Sequence, residues 1–596
     1  MKKYSMRFVE LFVYLILLGF GTTFPLSAQV STLYEQATET SGLVIQYGQD
    51  IRAVLHFYSP MLRQEGGFSS SVSVLNSPEQ RNRLEKVDRE YLEKLKKLDF
   101  KSLSQGGKVD YVLLKRAIED HLLTLDQEKT KYTSLESYLP FANKIYALEK
   151  MRRRGDVVDG KVIAAEMTAL STEVETAQEK LKEVKELDKS LTNFGEQAIR
   201  SLKLRLKSTY EFYNSYDPAF TWWVPVPYKG LDSVLTVYSK TLAGKGKLST
   251  TQKEDKSGIK GVPIGKEELL RQLKAEMIMY TPDELIALAN KEFAWCDAEL
   301  LKASREMGFG DDWKKAQEKV KNSYVPEGQQ PALILKLYND AKTFIEANNL
   351  LDYPEMADET WGMQMMTPER QLTSPFFLGG RDIIISYPTN AMEHTDKLMS
   401  MRGNNPYFSR ATVHHELVPG HHLQYYMNSR YKTYRSAFRT PFWTEGWALY
   451  WELLLYDKGF AKTPEERIGM LFWRMHRCAR IIFSLNYHMG EWSPQECIDF
   501  LVDRVGHERA NAEGEVRRSF EGNYGPLYQL AYLVGGLQIW GLKKELVDSK
   551  KMTYKQFHTA FMKENSLPIE MVRATLTNQP LTPEYKPGWK FYSSDN

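Results

Sequence analysis

Four histidines fall within nine residues, in the stretch Thr412-Val413-His414-His415-Glu416-Leu417-Val418-Pro419-Gly420-His421-His422-Leu423-Gln424-Tyr425-Tyr426. Neutral imidazole is a favoured ligand for zinc, so a shared divalent metal is the simplest reason for such a run. A glutamate directly after a ligand histidine is placed to take a proton from an activated water. The helical pattern His-Glu-x-x-His sets two histidines four apart on one face. Here the residue four after His415 is Pro419, which lacks a donor and clashes with the His415 carbonyl. The helix must therefore bulge or break, with Gly420 relieving the backbone. Read with two residues looped out, His421 takes the second ligand place, and His422 competes for it. On an unbroken helix His415 and His422 would share a face but stand about 10 Å apart along the axis, too far to hold one ion.

A hydrolytic zinc site needs three protein ligands and one open position. Thr444-Glu445-Gly446-Trp447-Ala448-Leu449-Tyr450-Trp451-Glu452 supplies the third ligand in Glu445. It follows His421 by 24 residues, enough for a helix, a turn and an antiparallel return. Glu452 lies seven residues further on the same face and is expected to accept a hydrogen bond from a ligand histidine.

The elements that must hold these residues are mostly helical. From about Val30 to Tyr213 apolar residues recur at three- and four-residue steps, as in Leu84, Val87, Tyr91, Leu92 and Leu95. The proline-rich stretch Pro218 to Pro227 reads as a helix break, and Gly244 to Gly265 as an exposed loop. Thr281-Pro282-Asp283-Glu284 is a helix start, continued from Leu285 to Met307. Ile383-Ile384-Ile385-Ser386-Tyr387, after Gly379-Gly380 and before Pro388, is the clearest strand. It is expected either to pack in the core or to take substrate backbone along its edge. Trp443 and Trp447 are expected to build core. Helical patterns return from Ala411 onward.

The first residues address export. Lys2, Lys3 and Arg7 precede the apolar Leu11 to Leu18, and Ser27-Ala28-Gln29 offers small residues for cleavage. That layout is a secretory signal peptide over residues 1–28, with no cysteine nearby for a lipid anchor. A helical region over 29–250 and a catalytic region over 251–596 then form one continuous body. The 79 basic and 76 acidic residues nearly cancel, which excludes a polyanion-binding balance and so nucleic acid. Three scattered cysteines, Cys296, Cys478 and Cys497, exclude a disulfide scaffold.

His-Glu-x-x-Pro-Gly-His-His-Leu-Gln, at His415 to Gln424, followed by Glu-Gly-Trp-Ala-x-Tyr, at Glu445 to Tyr450, resembles the bacterial domain-of-unknown-function 885 family. That family is grouped with zinc peptidases of the glutamate-ligand zincin type. The block from Glu445 to Glu452 is also similar to a motif of zinc aminopeptidases. His414-His415-Glu416 and Leu423 to Tyr426 resemble angiotensin-converting-enzyme-like dipeptidases. Arg518, Pro526, Gln529, Tyr532 and Gly535 fit the family's C-terminal pattern. The likeness is good over about residues 375–540 and looser elsewhere. It implies Tyr532 as the donor that steadies an oxyanion, and Arg518 as the fork that binds a substrate carboxylate.

The expectation is therefore a mainly α, zincin-like peptidase body with a small β-sheet beside the active-site helices. It would be exported, to the periplasm or the exterior, and not inserted in a membrane after signal cleavage. It would hold Zn2+ on His415, His421 and Glu445, use Glu416 as general base, and hydrolyse peptides. The alternatives are a non-heme iron enzyme, since two histidines and a carboxylate also suit iron, or an inactive peptide-binding protein.

Overall fold

Helix Pro78–Lys96 shows how the apolar spacing becomes structure. Leu84, Val87, Tyr91 and Leu95 are at most 2% exposed, Leu92 is half-buried, and the lysines and glutamates between them face water. The Ser77 hydroxyl caps the start by accepting from the Gln80 N–H. Such helices make up most of the computed structural model, which describes residues 36–64, 69–247, 255–371, 376–522 and 524–592. The expected signal peptide lies outside the described residues. Among those described, no helix is long and apolar enough to cross a membrane.

The described strands form three two-stranded sheets. Only one lies near the histidine stretch. There Gly362–Met365 runs parallel to Asp382–Ile385, with Gly362 opposite Asp382 and Met365 opposite Ile385. The strand expected at Ile383 to Tyr387 thus ends two residues early. The Gln371 side-chain oxygen accepts from the Tyr387 N–H, which is thereby lost to the ladder, and from the Ser386 hydroxyl. The stretch from Pro218 to Pro227 also differs from the expected break. Pro218 opens the short helix Pro218–Trp223, and Pro225 opens Pro225–Gly244, because a first-turn proline gives up no helical hydrogen bond.

Two apolar cores result. One is drawn from Tyr132 to Leu242. The other joins residues from Val44 to Leu125 with residues from Ile259 to Phe591. The 31-residue helix Gln105–Leu135 runs between them, giving Val109 to Leu125 to the second core and Tyr132 and Leu135 to the first.

The second core is centred on Pro464–His488, a helix buried on nearly every side. It packs against Pro282–Glu306, Pro406–Glu416 and Tyr528–Lys543. Pro441–Asp457 lies against Tyr528–Lys543 at backbone contact. A Cβ on Gly446 would sit 2.6 Å from the Gly535 carbonyl carbon, and one on Gly535 would sit 2.1 Å from the Phe442 oxygen. Trp443, Trp447 and Trp451 are fully buried in this core, as expected for the first two.

Gly535→Ala should destabilise the protein by about 2 kcal/mol or more, because backbone must move to admit the methyl. Gly230→Ala, in helix Pro225–Gly244 with nothing within 4 Å of the new Cβ, should be neutral or stabilise by roughly 0.5–1 kcal/mol. Urea unfolding of the two variants checks the contrast, and equal midpoints would sink it.

Candidate metal centre

The Asn405 side chain starts helix Pro406–Glu416 by accepting from the Tyr407 and Phe408 N–H groups. The helix ends at Glu416, and a new one, His421–Asn428, begins just past the Pro419-Gly420 break. The Gly420 N–H donates back to the His414 carbonyl, 3.1 Å away. No side chain fits at 420, since a Cβ would lie 1.8 Å from the His415 oxygen. The Trp447 indole N–H donates to the Pro419 carbonyl at 2.7 Å and ties the break to helix Pro441–Asp457. The chain therefore doubles back, and the rings of His415 and His421 meet edge to face with centroids 4.8 Å apart.

Glu445 completes the group. One ligand atom from each of His415, His421 and Glu445 lies within 4.8 Å of the others, and all three residues are buried. Glu445 Oε2 is 3.3 Å from His421 Nε2 and 3.7 Å from His415 Nε2. Ligand bonds of about 2 Å in a tetrahedron place donor atoms roughly 3.3 Å apart. Glu445 Oε2 is buried without a hydrogen-bond partner, whereas its Oε1 accepts from the Tyr528 hydroxyl.

The far nitrogens are committed. His415 Nδ1 bonds Glu452 Oε1 at 2.6 Å, so Glu452 stands where the sequence puts it. His421 Nδ1 bonds Gln424 Oε1 at 2.8 Å, and Gln424 Nε2 donates to the Thr444 carbonyl at 2.8 Å. Both Nδ1 partners are acceptors, so each neutral ring carries its proton there and turns the Nε2 lone pair to the common centre. Two imidazole lone pairs and one unpartnered carboxylate oxygen are a donor set suited to zinc.

Charge points the same way. Burial works against charge on His421, but Glu445 beside it overrides this and holds the ring up at about 9. Burial likewise opposes charge on His415, and the carboxylates of Glu445 and Glu452 beside it raise it. Burial would raise Glu445, yet the two imidazoles hold it far below the carboxylate range. The pocket therefore demands positive charge at the two Nε2 atoms, and a divalent cation competes with protons for that place.

The other two histidines face elsewhere. His422 Nδ1 bonds the Arg381 carbonyl at 2.6 Å, and His414 Nδ1 bonds the Arg410 carbonyl at 2.8 Å. Burial pushes His414 down to about 4, so it stays neutral. Glu416 sits beside the trio with Oε2 buried and unpartnered, 4.0 Å from His421 Nε2. Burial raises its carboxyl. Gly379 clears space for it, because a Cβ there would lie 1.9 Å from that oxygen.

A cavity of about 510 Å³ opens over these groups, and Tyr532 and Arg518 both line it. The Tyr532 ring lies nearly parallel to His415, with centroids 6.2 Å apart. Arg518 pairs with Glu515. The strand is not the substrate edge: Asp382–Ile385 pairs with Gly362–Met365 on one side, and on the other Ile384 exchanges both its backbone hydrogen bonds with Leu378. The preceding Phe377, Leu378 and Gly379 line the cavity instead. Sequence reasoning passes over Gln424, although it stands three residues after His421 on one helix face, and Tyr528, one turn before Tyr532.

The family model described as "Bacterial protein of unknown function (DUF885)" matches residues 66–576. No curated protein matches the chain. Among solved structures, a protein from Shewanella oneidensis described as "a putative lipoprotein of unknown function" shares 16% identity at a TM-score of 0.63, over 90% of this chain and 99% of that one. A second, described as "the putative lipoprotein from Colwellia psychrerythraea", shares 15% identity at a TM-score of 0.56, over 91% of this chain and 98% of that one. At such identities the likeness is one of fold.

The divergent aims of the histidines are testable. His421→Ala should abolish stoichiometric zinc binding, and His422→Ala should retain it. Gln424→Leu should weaken zinc about 10–100-fold by freeing the His421 ring. Metal analysis and competitive titration against a chelator read all three. Zinc lost from the His422 variant and kept by the His421 variant would reverse the ligand assignment.

Proposed function

We propose that the chain, which belongs to the bacterial DUF885 family, is an exported zinc-dependent peptidase with the zincin arrangement of ligands. The observation that carries this reading is the convergence of His415 Nε2, His421 Nε2 and Glu445 Oε2 beside a second, unpartnered carboxylate oxygen, on Glu416, at the floor of an open cavity. Export is supported by the layout of residues 1–28 and by the lipoprotein descriptions of the two proteins of like fold.

When bound, zinc supplies a Lewis acid that activates water and polarises a carbonyl. The remaining work belongs to the chain. Glu416 Oε2 accepts the proton of the attacking water, and the carboxyl then donates it to the nitrogen of the leaving amine. Burial favours the protonated form of Glu416, so the proton is held until the amine needs it. The Tyr532 hydroxyl is the donor assigned to the carbonyl oxygen as it gains charge. Burial keeps this phenol protonated at neutral pH. Arg518 offers its fork to a substrate carboxylate. Glu416 beside the trio favours hydrolysis over iron chemistry, which needs no base at that point.

Glu416→Gln should keep zinc and lose about 10²–10⁴-fold in turnover. The assay is a mixed peptide library incubated with and without chelator and read by mass. Cleavage by the variant at the parental rate would remove Glu416 from the mechanism. A zinc-loaded parent that cleaves nothing would end the peptidase reading.

A further inference from the structure

The cavity is unequally charged. Its acidic lining residues, Glu416 and Glu445, both belong to the metal end. Five arginines, Arg370, Arg439, Arg477, Arg480 and Arg518, also line it. Arg477 has a counterion in Glu452, 3.4 Å away. Arg480 and Arg518 share one. Arg480 Nε donates to Glu515 Oε1 at 2.7 Å, and Arg518 pairs with Glu515 Oε2. Glu515 is buried and already accepts from Gln529 Nε2 at 3.0 Å. Behind it His476 and His507 bond each other at 2.7 Å, and burial keeps both neutral. One carboxylate thus serves two guanidinium groups, leaving about one positive charge uncompensated.

The donors are uncompensated as well. Arg480 is 2% exposed, and its Nη1 is buried without a partner. Arg477 Nε and Arg518 Nε are in the same condition. Orphaned donors on buried guanidinium groups are costly and call for an anion. The forks are also fixed: Arg477 and Arg480 lie against the Tyr532 ring, 4.6 and 4.4 Å from its centroid. That ring adjoins His415, so the arginine end begins one aromatic ring away from the metal trio.

We propose that Arg480 and Arg518 form a built subsite for a carboxylate of the substrate, carried either by a free C-terminus or by an acidic side chain. The inference rests on the peptidase reading for the molecule that bears the carboxylate, and on the arginines alone for the anion. It makes the two arginines specificity-determining residues and selects substrates by the charge beside the cleaved bond.

The test is calorimetry on the Glu416→Gln protein, which holds peptide without turnover. Three peptides of one sequence serve as probes: a free acid, its carboxamide, and a carboxamide ending in glutamate. The free acid, the glutamate amide or both should bind about tenfold or more tightly than the plain amide, and which one does identifies the source of the carboxylate. The preference should persist with the metal chelated, fall below about threefold in Arg518→Gln, and recover in part in Arg518→Lys, which keeps charge but loses the fork. Arg518 is 22% exposed in its side chain, so its variants serve if the buried Arg480→Gln fails to fold. Equal binding of all three peptides, a preference that vanishes on chelation, or one untouched in both arginine variants would overturn the proposal. A preference that stands in a protein whose parent cleaves no peptide would leave the subsite in place and end the hydrolytic reading instead.

Discussion

Two buried carboxylates, Glu416 and Glu445, stand beside two imidazoles at the floor of the cavity and call for positive charge. Glu452 already has Arg477 as its counterion. The direction of the imidazoles decides where the positive charge lies. Both Nδ1 atoms are taken by fixed acceptors, so the compensating charge has to lie at the Nε2 atoms. Two protons there would set two N–H donors against the same Glu445 oxygen. One cation there satisfies all three donors at once. The Pro419-Gly420 break, the missing side chain at 379 and the hydrogen bonds of Gln424 all serve this arrangement.

The trio owes its precision to helices rather than loops. His415 ends one helix, His421 begins the next, and Glu445 lies in the second turn of a third. That third helix is pressed against Tyr528–Lys543 through Gly446 and Gly535, so Tyr528 reaches the Glu445 carboxylate and Tyr532 reaches the His415 ring. The same helix supplies Glu452 to His415 and Trp447 to Pro419. A shift of this one element would disturb Glu445, the His415 and His421 rings that it braces through Glu452 and Thr444, and the packing that sets Tyr532 beside them.

What could be read from the chain follows from how local each cause is. The break at Pro419 is steric within five residues, and Glu452 follows Glu445 by two helical turns, so both were visible in the sequence. The choice between His421 and His422 was not. It depends on the direction in which the chain leaves the break, set by bonds to Trp447 and Thr444 on a helix more than twenty residues away. Prolines at 218 and 225 read as a break because proline closes a helix and opens one with equal ease. The strand overran because the Gln371 side chain, distant in sequence, captured its last residues. Arg480 and Glu515, 35 residues apart on two helices, share no spacing that a single sequence reveals.

The two ends of the cavity carry opposite charge, and that separation itself needs a cause. Charges 4 Å apart attract by about 4 kcal/mol in a medium of effective dielectric near 20, enough to draw a free arginine onto Glu416 or Glu445 and close the site. The arginines are instead held by counterions behind them: Glu452 holds Arg477, and Glu515 holds Arg480 and Arg518. The Tyr532 ring, stacked under Arg477 and Arg480, fills the boundary with a group that titrates far above neutral pH. Buried counterions thus keep the cavity open and polarised, which is the preorganisation that the proposed hydrolysis would require of fixed dipoles.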